Sequence, residues 1–174
     1  EGFSTRLTAA GGTFSTGQYN LSHGGAFERG WYSLNAGVAH TAGDRDSSAF
    51  RSQDGTVTAG YVLSPSWRTS LEGRYGHFHV EDPGPLTAPL ANSYARVGRG
   101  GFTVALDNTT GRLWGNTRVY SSFGKHYITD GFRSTDRTTG VRLFQNAVLA
   151  PAVTVQFGTE VVNYGGQARN LLSR

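Results

Sequence analysis

The chain has 174 residues, of which only 37% are hydrophobic, and a formal charge of +4. That length suits one domain or a piece of a larger one, and the apolar fraction is low for a compact soluble core. Cysteine is absent, which excludes disulfides, thiol catalysis and cysteine–zinc sites, and the basic residues are spread along the chain, which argues against nucleic acid.

Alternation of apolar and polar residues recurs from one end of the chain to the other, and sustained helical spacing is absent. Phe3, Thr5, Leu7 and Ala9 alternate with Ser4, Arg6, Thr8 and Ala10. A weaker strand is expected over Gly17–Gly24, followed by Tyr32, Leu34, Ala36 and Val38 against Trp31, Ser33, Asn35 and Gly37. Val57, Ala59, Tyr61 and Leu63 form the next apolar row. Trp67, Thr69, Leu71 and Tyr75 then oppose Arg68, Ser70, Glu72 and Arg74. Phe102, Val104 and Leu106 oppose Thr103, Ala105 and Asp107. Leu113, Val119 and Phe123 oppose Arg112, Asn116, Arg118 and Tyr120. Val141 and Leu143 flank Arg142, and Val153, Val155, Phe157 and Val161 oppose Thr154, Gln156 and Glu160. The reading is an all-β, antiparallel up-and-down meander of about nine strands, many near the length a tilted strand needs to cross a bilayer.

The connections alternate in length. "GAFERG", "SPS", "DNTTG" and "VLAPA" are short, whereas "TAGDRDSSAFRSQDG", "VEDPGPLTAPLANSYA" and "GKHYITDGFRSTDR" are long and polar, after one tight early turn at "AGGTFST". In a meander, alternate connections lie at opposite ends. One end is therefore flush and the other ornamented, as in outer-membrane barrels with short periplasmic turns and long external loops. All five prolines fall in connections, where no ladder hydrogen bond is lost. Trp31, Tyr32, Tyr61 and Trp67 lie beside short turns, where an interfacial aromatic girdle is expected.

On this reading the apolar rows face lipid and the polar rows a wet lumen. The polar row carries Arg68, Arg74, Arg112, Arg118 and Arg142 with Glu72, Asp107 and Glu160. Arg74, Arg118 and Arg142 are the candidate contacts for the plug or an anionic substrate, because a guanidinium offers a planar fork of donors to an anion; the alternative is a purely structural role, ion pairing with lumen carboxylates. In "YGHFHVEDPGP" (Tyr75 to Pro85), His77, His79 and Glu81 share one side. The two histidines continue the apolar row of Trp67, Leu71 and Tyr75, so they are expected on the outside near the rim as an interfacial strand end. A metal site there would lack supporting partners. Asp82-Pro83-Gly84-Pro85 ends that strand by removing donors and fixing φ.

"EGFSTRLTAAGGTFSTGQYNLSHGG", "WRTSLEGRYGHFHVEDPGP", "LWGNTRVYSSFGKHYITDGFRSTDRTTGVRLFQN" and "FGTEVVNYGGQARN" resemble, in this order, barrel strands and loops of TonB-dependent outer-membrane receptors. The resemblance runs over essentially the whole chain. It implies an outer-membrane location and a role as part of an active transporter. The cargo would be a metal chelate such as a siderophore or cobalamin, or another nutrient. The implied partners are outer-membrane lipid and lipopolysaccharide, together with the plug domain and TonB energy-coupling complex of a full-length parent. No plug, energy-coupling box or aromatic-ended last strand is present, and nine is an odd count for a bacterial barrel. Residues 1–174 are thus expected to be a barrel fragment.

Competing chemistry is sparse. There is no Gly-x-Ser-x-Gly elbow, "SFGKHY" lacks the rest of a phosphate loop, and "DRDSSAFRSQD" does not have the spacing of a twelve-residue calcium loop. No enzyme activity, cofactor, structural metal or nucleic-acid partner is expected. The start of the chain lacks the basic and apolar runs of a signal peptide. The longest nearly apolar stretch, "NAVLAPAVTV", is half the length of a transmembrane helix, a limit that does not apply to barrel strands. The alternatives from other classes are a soluble β-sandwich or lectin-like binding module and a small complete outer-membrane pore, adhesin or enzyme.

Overall fold

A computed structural model of the chain describes residues 2–171. They form nine strands: β1 (Gly2–Gly12), β2 (Thr16–Phe27), β3 (Gly30–Thr41), β4 (Phe50–Ser64), β5 (Trp67–Glu81), β6 (Tyr94–Thr110), β7 (Leu113–Ile128), β8 (Phe132–Ala150) and β9 (Val153–Asn170). Each pairs antiparallel with the next, in the order β1 to β9, as one sheet that does not close on itself. No described residue lies in a helix. Alternating polarity, which cannot sit still on a 3.6-residue period, accounts for that.

The two ends of the sheet differ. At one end the connections are Glu28–Arg29, Pro65–Ser66, Gly111–Arg112 and Pro151–Ala152, two residues each. Gly111, at φ 56°, supplies the left-handed position a tight turn requires. The two proline turns instead follow strand irregularities between Val62 and Ser64 and between Val148 and Ala150, where one extra residue restores the twist. Backbone bonds tie turns to neighbouring strands: Val62 N–H donates to the Arg29 carbonyl at 2.7 Å, Thr109 to Ser66 at 2.9 Å, and Val148 to Arg112 at 2.9 Å. At the other end the connections span 13–15, 42–49, 82–93 and 129–131. Arg45 links the two longest by donating to the Gly84 carbonyl at 2.7 Å.

The third long loop expected from the sequence is mostly strand. Lys125, His126 and Tyr127 pair with Thr135, Ser134 and Arg133, leaving a connection of three residues. The ladder outlasts the apolar row, so the polar residues read as loop although their backbones are paired.

Directly paired residues share a face, so the register assigns every side chain. Phe3, Gly25, Tyr32, Ala59, Leu71, Val104, Val119, Val141 and Val161 form a single row across all nine strands. This apolar face has no second layer over it. Phe3, Leu34, Leu71, Val104, Val119, Val141 and Val161 are all exposed, and Ala105 is the only buried hydrophobic residue described. The accessible surface is 11990 Å², against about 8,300 Å² expected for a compact soluble monomer of this mass. Strand pairing supplies the order here, with almost no hydrophobic core.

Glycine serves this sheet mainly by making room. Gly17, Gly25, Gly60, Gly100 and Gly140 are the direct cross-strand partners of His40, Tyr32, Trp31, Phe123 and Tyr120. A Cβ at any of the five would come within 3.0 Å of the partner ring. Each ring reaches over the bare backbone beside it, covering main chain that no side chain of its own protects. The aromatic residues near the two-residue turns divide between faces. Tyr32, Tyr61 and Trp67 lie on the apolar face with Phe27, whereas Trp31 lies on the opposite face over Gly60. The expected girdle therefore loses Trp31, because odd positions of β3 point to the charged side.

Candidate functional site

The second face of the sheet is charged and mixed. Its strand residues include Arg6, Arg68, Arg74, Arg99, Arg118 and Arg142, with Asp54, Glu72, Asp107, Asp136 and Glu160 among them. The three arginines singled out from the sequence all belong to this face. Arg118 and Arg142 are direct cross-strand partners on β7 and β8, and Arg142 is in turn the partner of Glu160 on β9. Like charges side by side are tolerated because Glu160 holds Arg142: Nε donates to Oε1 at 3.2 Å and Nη2 to Oε2 at 3.4 Å. Tyr120 completes this cluster by donating its hydroxyl to Glu160 Oε1 at 2.7 Å.

A second bridge crosses the same face nearer the long-loop end. Arg99 on β6 and Asp136 on β8 meet at 3.0 Å across Gly124 of β7. A Cβ on Gly124 would sit 2.4 Å from the Asp136 carboxylate. The glycine is what lets the acid reach over the intervening strand.

Arg74 is different. Among the described residues neither Arg74 nor Arg118 has a carboxylate within ion-pair distance, and both are exposed. Arg74 borders a shallow depression with Glu72, Thr103, Tyr120 and Ser122, floored by Gly101, its own cross-strand partner. The Arg74 guanidinium, which has no carboxylate partner among the described residues, can donate in parallel to a planar anionic group such as a carboxylate or phosphate.

The rim histidines lie where the alternation puts them, on the apolar face at the long-loop end. His79 Nδ1 accepts from Arg96 Nε at 3.3 Å, its Nε2 is 4.0 Å from Glu81, and its ring stacks on Tyr94 with centroids 4.9 Å apart. No group of three metal-capable side chains occurs among the described residues. Sequence reasoning missed the bridges through Gly124 and over Gly140, since each joins residues two strands apart in the ladder, with a third strand between them. The abundance of glycine was their only trace.

Compared with known proteins, the chain matches no family model and no curated protein.

Proposed function

We propose that this chain is a nine-stranded stretch of the wall of an outer-membrane β-barrel, and that the barrel is an active transporter of the TonB-dependent type, taking up a metal chelate such as a siderophore or cobalamin. The observation that carries the membrane reading is the uncovered apolar face. It runs unbroken through nine strands of 11 to 19 residues and is bounded at one end by two-residue turns. From Trp67 to Tyr75 the strand rises about 27 Å, which a tilt of roughly 40° reduces to about 21 Å of depth, comparable to the apolar band of an outer-membrane barrel. A soluble sandwich requires a second sheet against this face, and the described residues form one sheet.

The transporter part rests on the open edges and the charged face, together with the resemblance of the strands and loops. β1 and β9 each have one paired neighbour. Unpaired edges are not tolerated in hydrocarbon, so further strands must complete the wall. A barrel of well over nine strands encloses more space than side chains fill, leaving a channel or a lumen for a plug. The mixed arginine–carboxylate face suits such a hydrated interior, and Arg74 and Arg118 are its free anion-binding groups.

The test is uptake by cells that make the gene product carrying this chain. The protein should fractionate with the outer membrane, and uptake of a labelled ferric or cobalt chelate should stop when the inner-membrane proton gradient is collapsed. Uptake that continues without the gradient would mean a passive pore.

A further inference from the structure

We infer that Arg99 is a further cargo-contacting residue and that, with Arg74, it forms a clamp for a carboxylate seated on Gly76 and Gly101. The inference deepens the proposed binding role of the charged face and rests on that reading. Strands β5 and β6 pair Arg74 with Gly101 and Gly76 with Arg99. The two arginines therefore occupy one diagonal of a four-residue square and the two glycines the other. Diagonal neighbours stand about 7–8 Å apart, within reach of long side chains. Both arginines are exposed, and bare backbone lies between them. Packing accounts for Gly101, where a Cβ would come within 2.7 Å of the Ser121 carbonyl oxygen. Packing does not account for Gly76, where a Cβ would make only ordinary contacts at 3.8 Å and 3.9 Å. The carboxylate of Asp54, directly across from Gly76 on β4, does not fill that seat. It leans the other way, with Oδ1 2.7 Å from where a Cβ of Gly37 would be.

Arg99 is turned away from the seat, toward Asp136, which it meets across Gly124 at 3.0 Å. Both partners of that bridge are open to solvent, with 63% and 41% of their side-chain surface exposed, and an ion pair so placed is weak. A carboxylate on Gly76 replaces Asp136 like for like and gains Arg74 as a second donor, one oxygen to each guanidinium. Charge-assisted bonds made in pairs are among the strongest polar contacts. Arg74 gives up no carboxylate partner in the exchange. Asp136 is thus a resident competitor that holds Arg99 aside until an anion arrives. Arg142 is placed differently, because Glu160 takes two of its hydrogen bonds and Tyr120 braces the same carboxylate.

The experiment titrates the gene product carrying this chain, in a zwitterionic detergent, with succinate and with its neutral diamide by calorimetry. Succinate should bind saturably and the diamide should not. Arg99→Gln and Arg74→Gln should each weaken succinate about tenfold, the effect of losing a charge-assisted contact. The double variant should fall well short of the product of the two losses, because one anion is shared. Arg6→Gln, the same charge change four strands away in the row of Arg74, should bind as the parent does. Asp136→Asn should tighten succinate about two- to fivefold by freeing Arg99, and that gain should vanish in the Arg99→Gln background. Gly76→Val should remove most of the binding while leaving the urea-unfolding midpoint unchanged. No gain from Asp136→Asn, an equal gain without Arg99, parental binding by Gly76→Val, or equal binding of the diamide overturns the clamp and leaves Arg99 a wall-stabilising ion pair. The transporter reading is judged separately, by uptake under a collapsed proton gradient. A clamp that passes every arm stands even in a protein whose uptake survives the collapse.

Discussion

The hydroxyl of Tyr120 donates to Glu160 at 2.7 Å although the strand carrying Gly140 runs between them. The phenol passes over Gly140, where a Cβ would meet the ring and its oxygen at 2.4 Å. Gly140→Ala should therefore displace Tyr120, release Glu160 from one of its two partners, and cost about 1–3 kcal/mol, as overpacking does. Gly165→Ala is the control, since a Cβ there meets nothing within 4 Å; its cost should stay below about 1 kcal/mol. Urea unfolding of the two variants in the gene product carrying this chain measures the difference.

On the proposed membrane reading, the register sets which positions lie at mid-depth. Val119 belongs to the row of Leu71, Val104 and Val141, midway between the two-residue turns and the long-loop end, whereas Val155 lies three residues past the turn at Pro151–Ala152. Val119→Arg should cost about 2–4 kcal/mol and Val155→Arg about 0–1 kcal/mol. Thr58→Arg, on the charged face and directly opposite Glu72, should be neutral or slightly stabilising. Folding titrations of the three variants into vesicles would rank them. Equal costs at positions 58 and 119 would contradict the assigned faces.

Binding is expected to separate the three candidate arginines. Arg142 is already held by Glu160 through two hydrogen bonds, while Arg74 and Arg118 have no carboxylate partner among the described residues. Arg74→Gln and Arg118→Gln should each weaken chelate binding about tenfold, the effect of losing one charge-assisted contact. Arg142→Gln should change it less than threefold and alter stability by no more than about 1 kcal/mol, as expected of an exposed pair. Equilibrium binding of a labelled anionic chelate distinguishes the three.

Much of this fold can be read from alternation alone. The rows of Leu71 and Glu72, the membership of Arg74, Arg118 and Arg142 in one face, and the rim position of His77 and His79 all follow from a period of two. Strand ends are harder. Lys125 to Arg137 reads as loop because its residues are polar, yet its backbone stays in the ladder up to Tyr127 and from Arg133 onward. Cross-strand relations are harder still. The row joining Arg51, His79, Arg96, Arg133 and Arg169 depends on the lengths of five connections, and a slip of one residue in any strand would scatter it over both faces. The same holds for the bridge from Arg99 to Asp136, whose sequence trace is the single glycine at position 124.

The central claim is that the apolar face meets acyl chains. The chain has no cysteine, so single cysteines can be placed one at a time from Ser70 to Arg74 of β5 and labelled with an environment-sensitive fluorophore. In vesicles containing brominated lipid, the labels at 71 and 73 should be strongly quenched and those at 70, 72 and 74 should respond instead to an aqueous quencher. Uniform quenching along the five positions, or lipid quenching at 70, 72 and 74, would contradict the account.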